Sequence, residues 1–355
     1  MSRSNVGSGS ISCSSKSKMI STESLRQSRH LLSETRRPLL VTHVAPDGDA
    51  IGSLLGMGWT LLAQGRSPTL ACQDALPRRF AFLPGFEKVV QVPPSGPYDL
   101  LIVLDCSDLD RIGQISEIVS RDLPVLNIDH HVTNTRFGTV DLVAEDAVST
   151  THLLYHLIRG LDSPLDERIA TCLLTGLVTD TRGFRTANVT PEILRIAVEL
   201  MEAGAPLTTI TRNGLDRRSL ATLRLWGAGL ARLQSADGII WTTLPVSVQQ
   251  TIGHDGYGDA GLANLLIGAE EARVAVVFTE QPNGEIDVGF RAAPGFDVSR
   301  IALQLGGGGH ALAAGCRVPG PLEAAQRQVL ALLRKDLARQ REQVSSDDGR
   351  HPQPG

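Results

Sequence analysis

Aromatic residues are scarce in this chain. Phe, Trp and Tyr together make up 4% of it, which leaves little material for the stacking platforms that hold long single strands of nucleic acid. There is no dense Lys/Arg block, and a formal net charge of -4 at pH 7 gives no global attraction to a polyanion, so any phosphate ligand needs a local positive site. Cysteine is also sparse. Cys13, Cys72, Cys106, Cys172 and Cys316 are odd in number, widely spaced and without a Cys-x-x-Cys pair, which indicates neither a disulfide framework nor a zinc ribbon and fits a reducing cytoplasm. The N-terminal stretch lacks the apolar core of a secretory signal, and no later apolar run approaches the length of a membrane span. The expectation is a soluble, cytoplasmic protein with no membrane partner.

What is present is ordinary globular material. Of 355 residues, 42% are hydrophobic and 20% charged, and a chain of this length is expected to form two domains because single cores stop growing below that size. Residues 1–20 are rich in Ser and Gly and read as a flexible tail. From 38 to 200, short Leu-rich or β-branched runs (PLLVTH, SPTLACQ, DLLIVLDCS, PVLNIDHH) alternate with amphipathic stretches such as AIGSLLGMGWTLLAQ, the rhythm of a parallel α/β sheet. Helices are predicted at 148–160, 164–180 and 190–204, the last opened by Thr190 and Pro191. Turn residues and charge at 205–225 predict a linker. Beyond it Asp237-Gly238 and Pro282-Asn283-Gly284 each separate two strand-like runs, which predicts antiparallel hairpins in an α+β domain. Helical periodicity returns near 321, and 339–355 is expected as a second tail.

Chemistry-bearing residues gather at the ends of these predicted elements, where open α/β sheets build ligand sites. The first strand runs into THVAPDGDAIGS with His43, Asp47 and Asp49, and Pro46 and Gly48 force a turn that lets them converge. DLLIVLDCSD ends in Asp105, PVLNIDHHVTN in Asp129, His130 and His131, and Asp180 follows the apolar helix ATCLLTGLV. Singly, each has a bland reading as a turn, a helix cap or a surface histidine; jointly, they are hard to explain as caps. Mixed imidazole and carboxylate donors suit manganese, iron or zinc. Two such ions about 3.5–4 Å apart, sharing one carboxylate, would activate a water and clamp both oxygens of a phosphoryl displacement.

HVAPDGDAIGS, VLDCSD, NIDHHVTN and LLTGLVTDTRGFRT resemble, in order, the four motifs of the DHH phosphoesterase superfamily, and GFRAAPGFDVSRIALQLGGGGHALAAG resembles the signature of its DHHA1 domain. The match spans about residues 36–335 and is most similar to the oligoribonuclease and pAp-phosphatase branch, often called nanoRNase. The resemblance implies an N-terminal parallel-sheet DHH domain with helices on both faces (21–204), a 205–225 linker, and a smaller α+β DHHA1 domain (226–338), with the active site in the cleft between them. It also implies a division of ligands. His43 and Asp47 hold one metal, Asp49, His130 and Asp180 the other, and Asp105 bridges. His131 then faces the substrate phosphate, with orienting a metal ligand by a hydrogen bond as its blander role, and Asp129 is assigned to that supporting layer behind the ligands.

The glycine run Gly306 to Gly309 has no Lys-Ser/Thr after it and so is not a P-loop. It reads as a close phosphate-approach loop in which Gly307, Gly308 and Gly309 admit an anion to the backbone and His310 adds a donor. Arg291 resembles the family's phosphate-binding arginine, while Arg111 and Asn134 are further candidate substrate contacts. His152 and His156, four apart in HLLYH, lack the Glu of a metalloprotease motif and are read as packing residues. The expected activity is hydrolysis of short RNAs or linear dinucleotides, with removal of the 3'-phosphate of pAp, supported by two divalent ions, taken as Mn2+. A homodimer is the expected assembly. Two alternatives stand beside this reading: a cyclic-dinucleotide phosphodiesterase, and an inactive nucleotide-binding regulatory module. Every expected ligand position is filled by a competent residue, which speaks against the second.

Overall fold

The computed structural model describes residues 21–348, apart from 119, 121, 162 and 254–257. The expected tail at 1–20 and the last residues, 349–355, lie outside the described residues. The chain divides between Arg217 and Arg218 into two compact units. Among the described residues no helix is long and apolar enough to cross a membrane, and Cys72, Cys106, Cys172 and Cys316 are free and buried.

The first unit contains α1 (Thr22–Glu34), β1 (Pro38–Thr42), α2 (Gly48–Ala63), β2 (Thr69–Ala71), β3 (Leu100–Leu104), α3 (Ile115–Ile118), β4 (Val125–Asp129) and β5 (Val140–Val143). It continues with α4 (Thr150–Arg159), α5 (Glu167–Asp180), α6 (Pro191–Glu202) and α7 (Leu207–Thr211). The five strands form one sheet in the order β2-β1-β3-β4-β5, and every pairing is parallel. Strands β1 and β3 are buried along their whole length, as expected of parallel strands covered on both faces.

The two faces are covered unequally. Leu40, Ile102, Leu104, Leu126 and Ile128 join the large core with residues of α2, α4 and α5. Leu39, Val41, Leu101 and Val103 point the other way, into a smaller cluster closed by Ile112 and by Ile115 of α3. Helices α2 and α5 approach closely because their facing positions are small: a Cβ on Gly52 would lie 2.5 Å from the Cys172 carbonyl oxygen. This approach brings the start of α2 near the end of α5, where two of the candidate ligands sit.

Sequence patterning does not predict α1 or β5. Only Leu25, Leu31 and Leu32 are apolar in α1, and β5 is a four-residue edge strand. The expected linker 205–225 contains α7, a π-helical turn (Arg212–Asp216) and the start of the next helix. Its Thr-rich sequence, with Pro206, Asn213 and Gly214, has weak helix propensity, but Ile210 and Leu215 pack against the core, and tertiary burial carries such short helices.

The second unit comprises α8 (Leu220–Leu230), β6 (Gln234–Ala236), β7 (Ile239–Leu244), α9 (Val246–Ile252), α10 (Leu262–Leu266), β8 (Val274–Glu280) and β9 (Glu285–Ala292). Then follow α11 (Ser299–Gln304), β10 (Gly308–His310), β11 (Ala313–Pro319) and α12 (Leu322–Asp348). Its sheet has the order β10-β11-β9-β8-β7-β6. Both expected hairpins form, β6–β7 and β8–β9, whereas β7 and β8 pair in parallel across a connection holding α9 and α10. Val274, Val276 and Phe278 pack towards residues of α11 and α12; Ala275 and Val277 pack towards α8 and α10. Helix α12 continues ten residues beyond 338, through part of the expected tail.

Candidate metal centre

Each acidic or imidazole residue singled out in the first unit is positioned by an identifiable local feature. His43 follows β1 and is buried; its Nδ1 lies 2.7 Å from the Val44 carbonyl oxygen, so that nitrogen carries the proton and Nε2 is left with its lone pair. Asp47 is the N-cap of α2, where Oδ1 accepts from the backbone N–H of Asp49 (3.0 Å) and Ala50 (3.1 Å). A helix cap and a candidate ligand are thus the same carboxylate. Asp49, in the first turn of α2, is completely buried. Its Oδ2 accepts from the Thr150 N–H at 2.5 Å, and its Oδ1 from the Thr151 N–H and hydroxyl at 3.0 and 2.7 Å.

Asp105 terminates β3 with φ at 62°, an uncommon conformation for a residue with a Cβ, in which Asp is enriched and which clusters at functional sites. Its N–H is anchored to the Ile128 carbonyl on β4 at 3.0 Å. The two carboxylate oxygens diverge: Oδ2 lies 3.6 Å from His43 Nε2, and Oδ1 lies 3.7 Å from His130 Nε2. His130, just past β4, also places Nε2 at 3.2 Å from Asp180 Oδ2 and 4.0 Å from Asp49 Oδ2. Asp180 is the last residue of α5. Donor atoms of His43, Asp47 and Asp105 fall within 4.8 Å of one another, as do those of Asp49, His130 and Asp180.

Asp129, at the end of β4, is completely buried. It accepts from His131 Nδ1 at 2.7 Å and from Asn134 Nδ2 at 2.6 Å. His131 therefore turns its other nitrogen, Nε2, away from the hydrogen-bonded carboxylate. Asn134, a candidate substrate contact in the sequence, has its amide engaged inside the protein: Nδ2 also reaches the Cys106 carbonyl (3.0 Å), and Oδ1 accepts from Asn127 Nδ2 (3.0 Å) and the Arg136 N–H (2.7 Å). Its contacts place it behind Asp129. Arg111 lies in the 3-10 turn after β3 and is exposed.

The electrostatics of this cluster ask for positive charge. Burial, then the neighbouring Asp105 and Asp180 carboxylates, push Asp49 well above the usual carboxylate range. Burial raises Asp180 to about 6 despite its contact with His130. Burial opposes protonation of His130, but its hydrogen bond with Asp180 and the charges of Asp49 and Asp105 outweigh it and raise the imidazole to about 10. Burial would raise Asp105 too, but its contact with His43 and the charges of His130 and His131 hold it at about 2, so the pocket keeps this carboxylate ionised and draws protons onto Asp49, Asp180 and the imidazoles around it. Divalent cations held by the same donors meet that demand, and oxygen with imidazole donors is the set that manganese, iron and zinc accept.

Two residues that hold this centre together, Thr150 and Thr151, are not singled out by the sequence patterns. Their only signal is the Ser-Thr-Thr run at the start of α4. Glycines matter in the same way: a Cβ on Gly176 would stand 2.3 Å from Asp49 Oδ1, and one on Gly48 would stand 2.4 Å from the Thr179 side chain.

In the second unit, the glycine run forms an edge strand. His310 pairs with Ala313, which pairs with Arg291, so His310 and Arg291 share one row on one face of the sheet. The adjacent row on that face is Gly308, Gly315 and Gly289. Nothing stands within 4 Å of a Cβ built on Gly308, whereas one on Gly307 would meet the Gly315 carbonyl oxygen at 2.1 Å and one on Gly309 the Ala313 carbonyl oxygen at 2.5 Å. Gly307 and Gly309 thus permit close approach of β11, and Gly308 lies in a side-chain-free trough. Arg291 Nε donates to Asn264 Oδ1 at 2.6 Å, and His310 is exposed.

Known proteins share this arrangement of sequence. Residues 38–177 match the DHH family, N-terminal domain, and residues 257–338 match the DHHA1 domain. The chain is 34% identical over 323 residues to the bifunctional oligoribonuclease and PAP phosphatase NrnA of Thermus thermophilus, with 89% of this chain and 95% of that protein covered. It is 25% identical over 284 residues to the protein of the same name from Bacillus subtilis, covering 79% and 88%. A solved structure of an exopolyphosphatase-related protein from Bacteroides fragilis superimposes with a TM-score of 0.81 at 25% identity, covering 91% of this chain and 97% of the other.

Proposed function

We propose, from the premise that this chain belongs to the DHH phosphoesterase family and carries its DHHA1 domain, that it is a metal-dependent hydrolase of short oligoribonucleotides and linear dinucleotides that also removes the 3'-phosphate of pAp. The relatives that match nearly the whole chain bear those two activities in their name. The observation that carries the reading is Asp105, whose two oxygens face two different groups of donors.

In this reading His43 and Asp47 hold one divalent ion, Asp49, His130 and Asp180 hold a second, and Asp105 serves both, with manganese suited to the mixed donors. Bound there, two such ions supply Lewis acidity, which lowers the pKa of a water and neutralises charge building on phosphoryl oxygens. The protein's own residues do the rest. Val44 fixes the tautomer of His43 through Nδ1. Thr150 and Thr151 hold both oxygens of Asp49, as partners behind metal ligands commonly do. Asp129 holds His131 by Nδ1 and, by that hydrogen bond, raises the imidazole's pKa, so that His131 in its doubly protonated form donates Nε2–H to a phosphoryl oxygen of the substrate. On the second unit, His310 and Arg291 offer donors beside the Gly308 trough for a further phosphate. The chain acts as a homodimer in this reading, and Leu194, Val198 and Met201, an exposed stripe along α6, offer an apolar face for it.

The test is product analysis with purified protein, manganese and a panel of pAp, pApA, cyclic di-AMP, longer RNA and pyrophosphate. AMP from pApA, and AMP with inorganic phosphate from pAp, are the expected products. Turnover confined to cyclic di-AMP or to pyrophosphate overturns the proposal, and light scattering of the same sample reads the assembly.

A further inference from the structure

His152, His156 and Glu192 form a cluster outside the donors assigned to hydrolysis. His152 and His156 lie one turn apart on α4, and their Nε2 atoms face each other at 3.2 Å. Glu192, in the first turn of α6, brings Oε1 to 3.5 Å from His156 Nε2. All three offer donor atoms within 4.8 Å of one another. His152 is buried, His156 is half-buried, and Glu192 opens to solvent with 60% of its side chain exposed. The cluster therefore has a closed inner side and an entrance.

Two of the three spacings match a coordination shell, and the exposed Glu192 carboxylate, within 4.8 Å of His152, closes the third by a side-chain movement. Imidazole nitrogens at about 2.0–2.1 Å from a tetrahedral zinc ion are about 3.3–3.4 Å apart, and a carboxylate oxygen at about 2.0–2.2 Å falls at a similar distance from them. Two bare imidazole nitrogens at 3.2 Å repel unless a proton or a cation lies between them, and a carboxylate beside them favours the cation. His152 Nδ1 is buried and has no hydrogen-bond partner among the described residues, so no contact selects the tautomer of this ring, and Nε2 ligates in the form whose proton sits on Nδ1. Burial lowers His152 to about 4 and also lowers His156. Near neutrality both rings are uncharged, which is the form that ligates and not the form that makes an ion pair with Glu192.

We propose that His152, His156 and Glu192 form a separate divalent-metal site of zinc type, three protein ligands with one position left for water, which fastens α4 to the first turn of α6. The site is separate from the donors assigned to hydrolysis and does not depend on the function proposed above. It does bear on that centre mechanically, because the first residues of α4 are Thr150 and Thr151, which hold Asp49 and Asp105.

The experiment uses the full chain and its His156→Ala and Glu192→Gln variants, both altered at partly exposed positions so that the fold is kept, with circular dichroism to confirm it. Each protein is stripped of metal, given excess zinc, passed through a desalting column and analysed for bound zinc. The expected result is one equivalent less zinc in His156→Ala than in the parent, with a smaller zinc-induced rise in Tm. Cobalt(II) provides a second readout: the intense visible bands of a tetrahedral site appear in the parent and in Asp105→Ala and disappear in His156→Ala. Equal zinc content in parent and variant, with unchanged cobalt spectra, overturns the site and leaves a proton-bridged histidine pair.

Discussion

Thr150 donates its hydroxyl to Oδ1 of Asp105 at 2.8 Å, and its backbone N–H to Oδ2 of Asp49 at 2.5 Å. One residue at the start of α4 thus fixes two carboxylates from two other elements. Thr150→Val keeps the shape and the N–H but removes the bond to Asp105. Partners of this kind are worth about 10–100-fold in metal affinity or activity, so the manganese activation curve should shift by that order, while Thr150→Ser stays near the parent. An unshifted curve for the valine variant contradicts the positioning role.

Gly176 lies under Asp49, and any side chain there collides with Asp49 Oδ1 and with the Thr151 side chain at 2.4 Å. Gly176→Ala is expected to destabilise the fold by about 1–3 kcal/mol, the usual cost of overpacking, and to weaken manganese binding. Gly227→Ala is the control. Nothing stands within 4 Å of its Cβ, and within α8 it should be neutral or stabilising by up to about 1 kcal/mol. Urea midpoints of the two variants read the difference directly.

His310 is assigned to substrate phosphate and not to metal. A hydrogen bond to a charged group contributes about 1.5–3 kcal/mol, or roughly 10–100-fold in kcat/KM, and His310→Ala should lose that much with KM raised. Elemental analysis should find its metal content equal to the parent's. Loss of metal would move His310 among the metal ligands.

Asp99 ties the beginning of β3 to that of β1: it accepts from the backbone N–H groups of Arg36 (2.7 Å) and Arg37 (2.9 Å) and from the Thr35 hydroxyl. Burial would raise its carboxyl, but these donors outweigh it and hold Asp99 below its ordinary 3.8. A depressed folded-state pKa stabilises the protein above the unfolded value, and that contribution is lost as pH falls through the folded value. The gap in urea midpoint between the parent and Asp99→Ala should therefore be full near neutrality and shrink below about pH 4. A gap that persists in acid excludes the charge as its source.

Substrate length offers the last test. Cleavage should be fastest for two to about four nucleotides and fall steeply for long strands, because affinity per nucleotide needs an extended basic groove and stacked aromatics. The chain has 4% aromatic residues and a net charge of -4. Comparing kcat/KM for RNAs of about two, four and twenty-four nucleotides at one salt concentration decides it. Equal or rising efficiency with length points to a processive exonuclease instead.

The sequence by itself determined most of the strands and helices and singled out the candidate donors. Largely apolar runs ending in Asp105 and in Asp129-His130-His131 are legible because a parallel strand is buried on both faces and concentrates its charged groups at its end. Asp237-Gly238 and Pro282-Asn283-Gly284 announce hairpins by local backbone preference. Tertiary structure decided what no local signal encodes. Asp49 and Asp180 meet because Gly52 and Gly176 let α2 and α5 close on each other, and such an approach is a property of two helices at once. Asn134 looks like a substrate contact as a polar residue after the histidine pair, yet its distances to Asp129, Cys106 and Asn127 turn it inward. The π-helical turn and α7 arise where propensity is weak and burial of Ile210 supplies the stability. Likewise HLLYH carries no metal signature along the chain, since its third donor, Glu192, arrives from α6 through the packing of the helices.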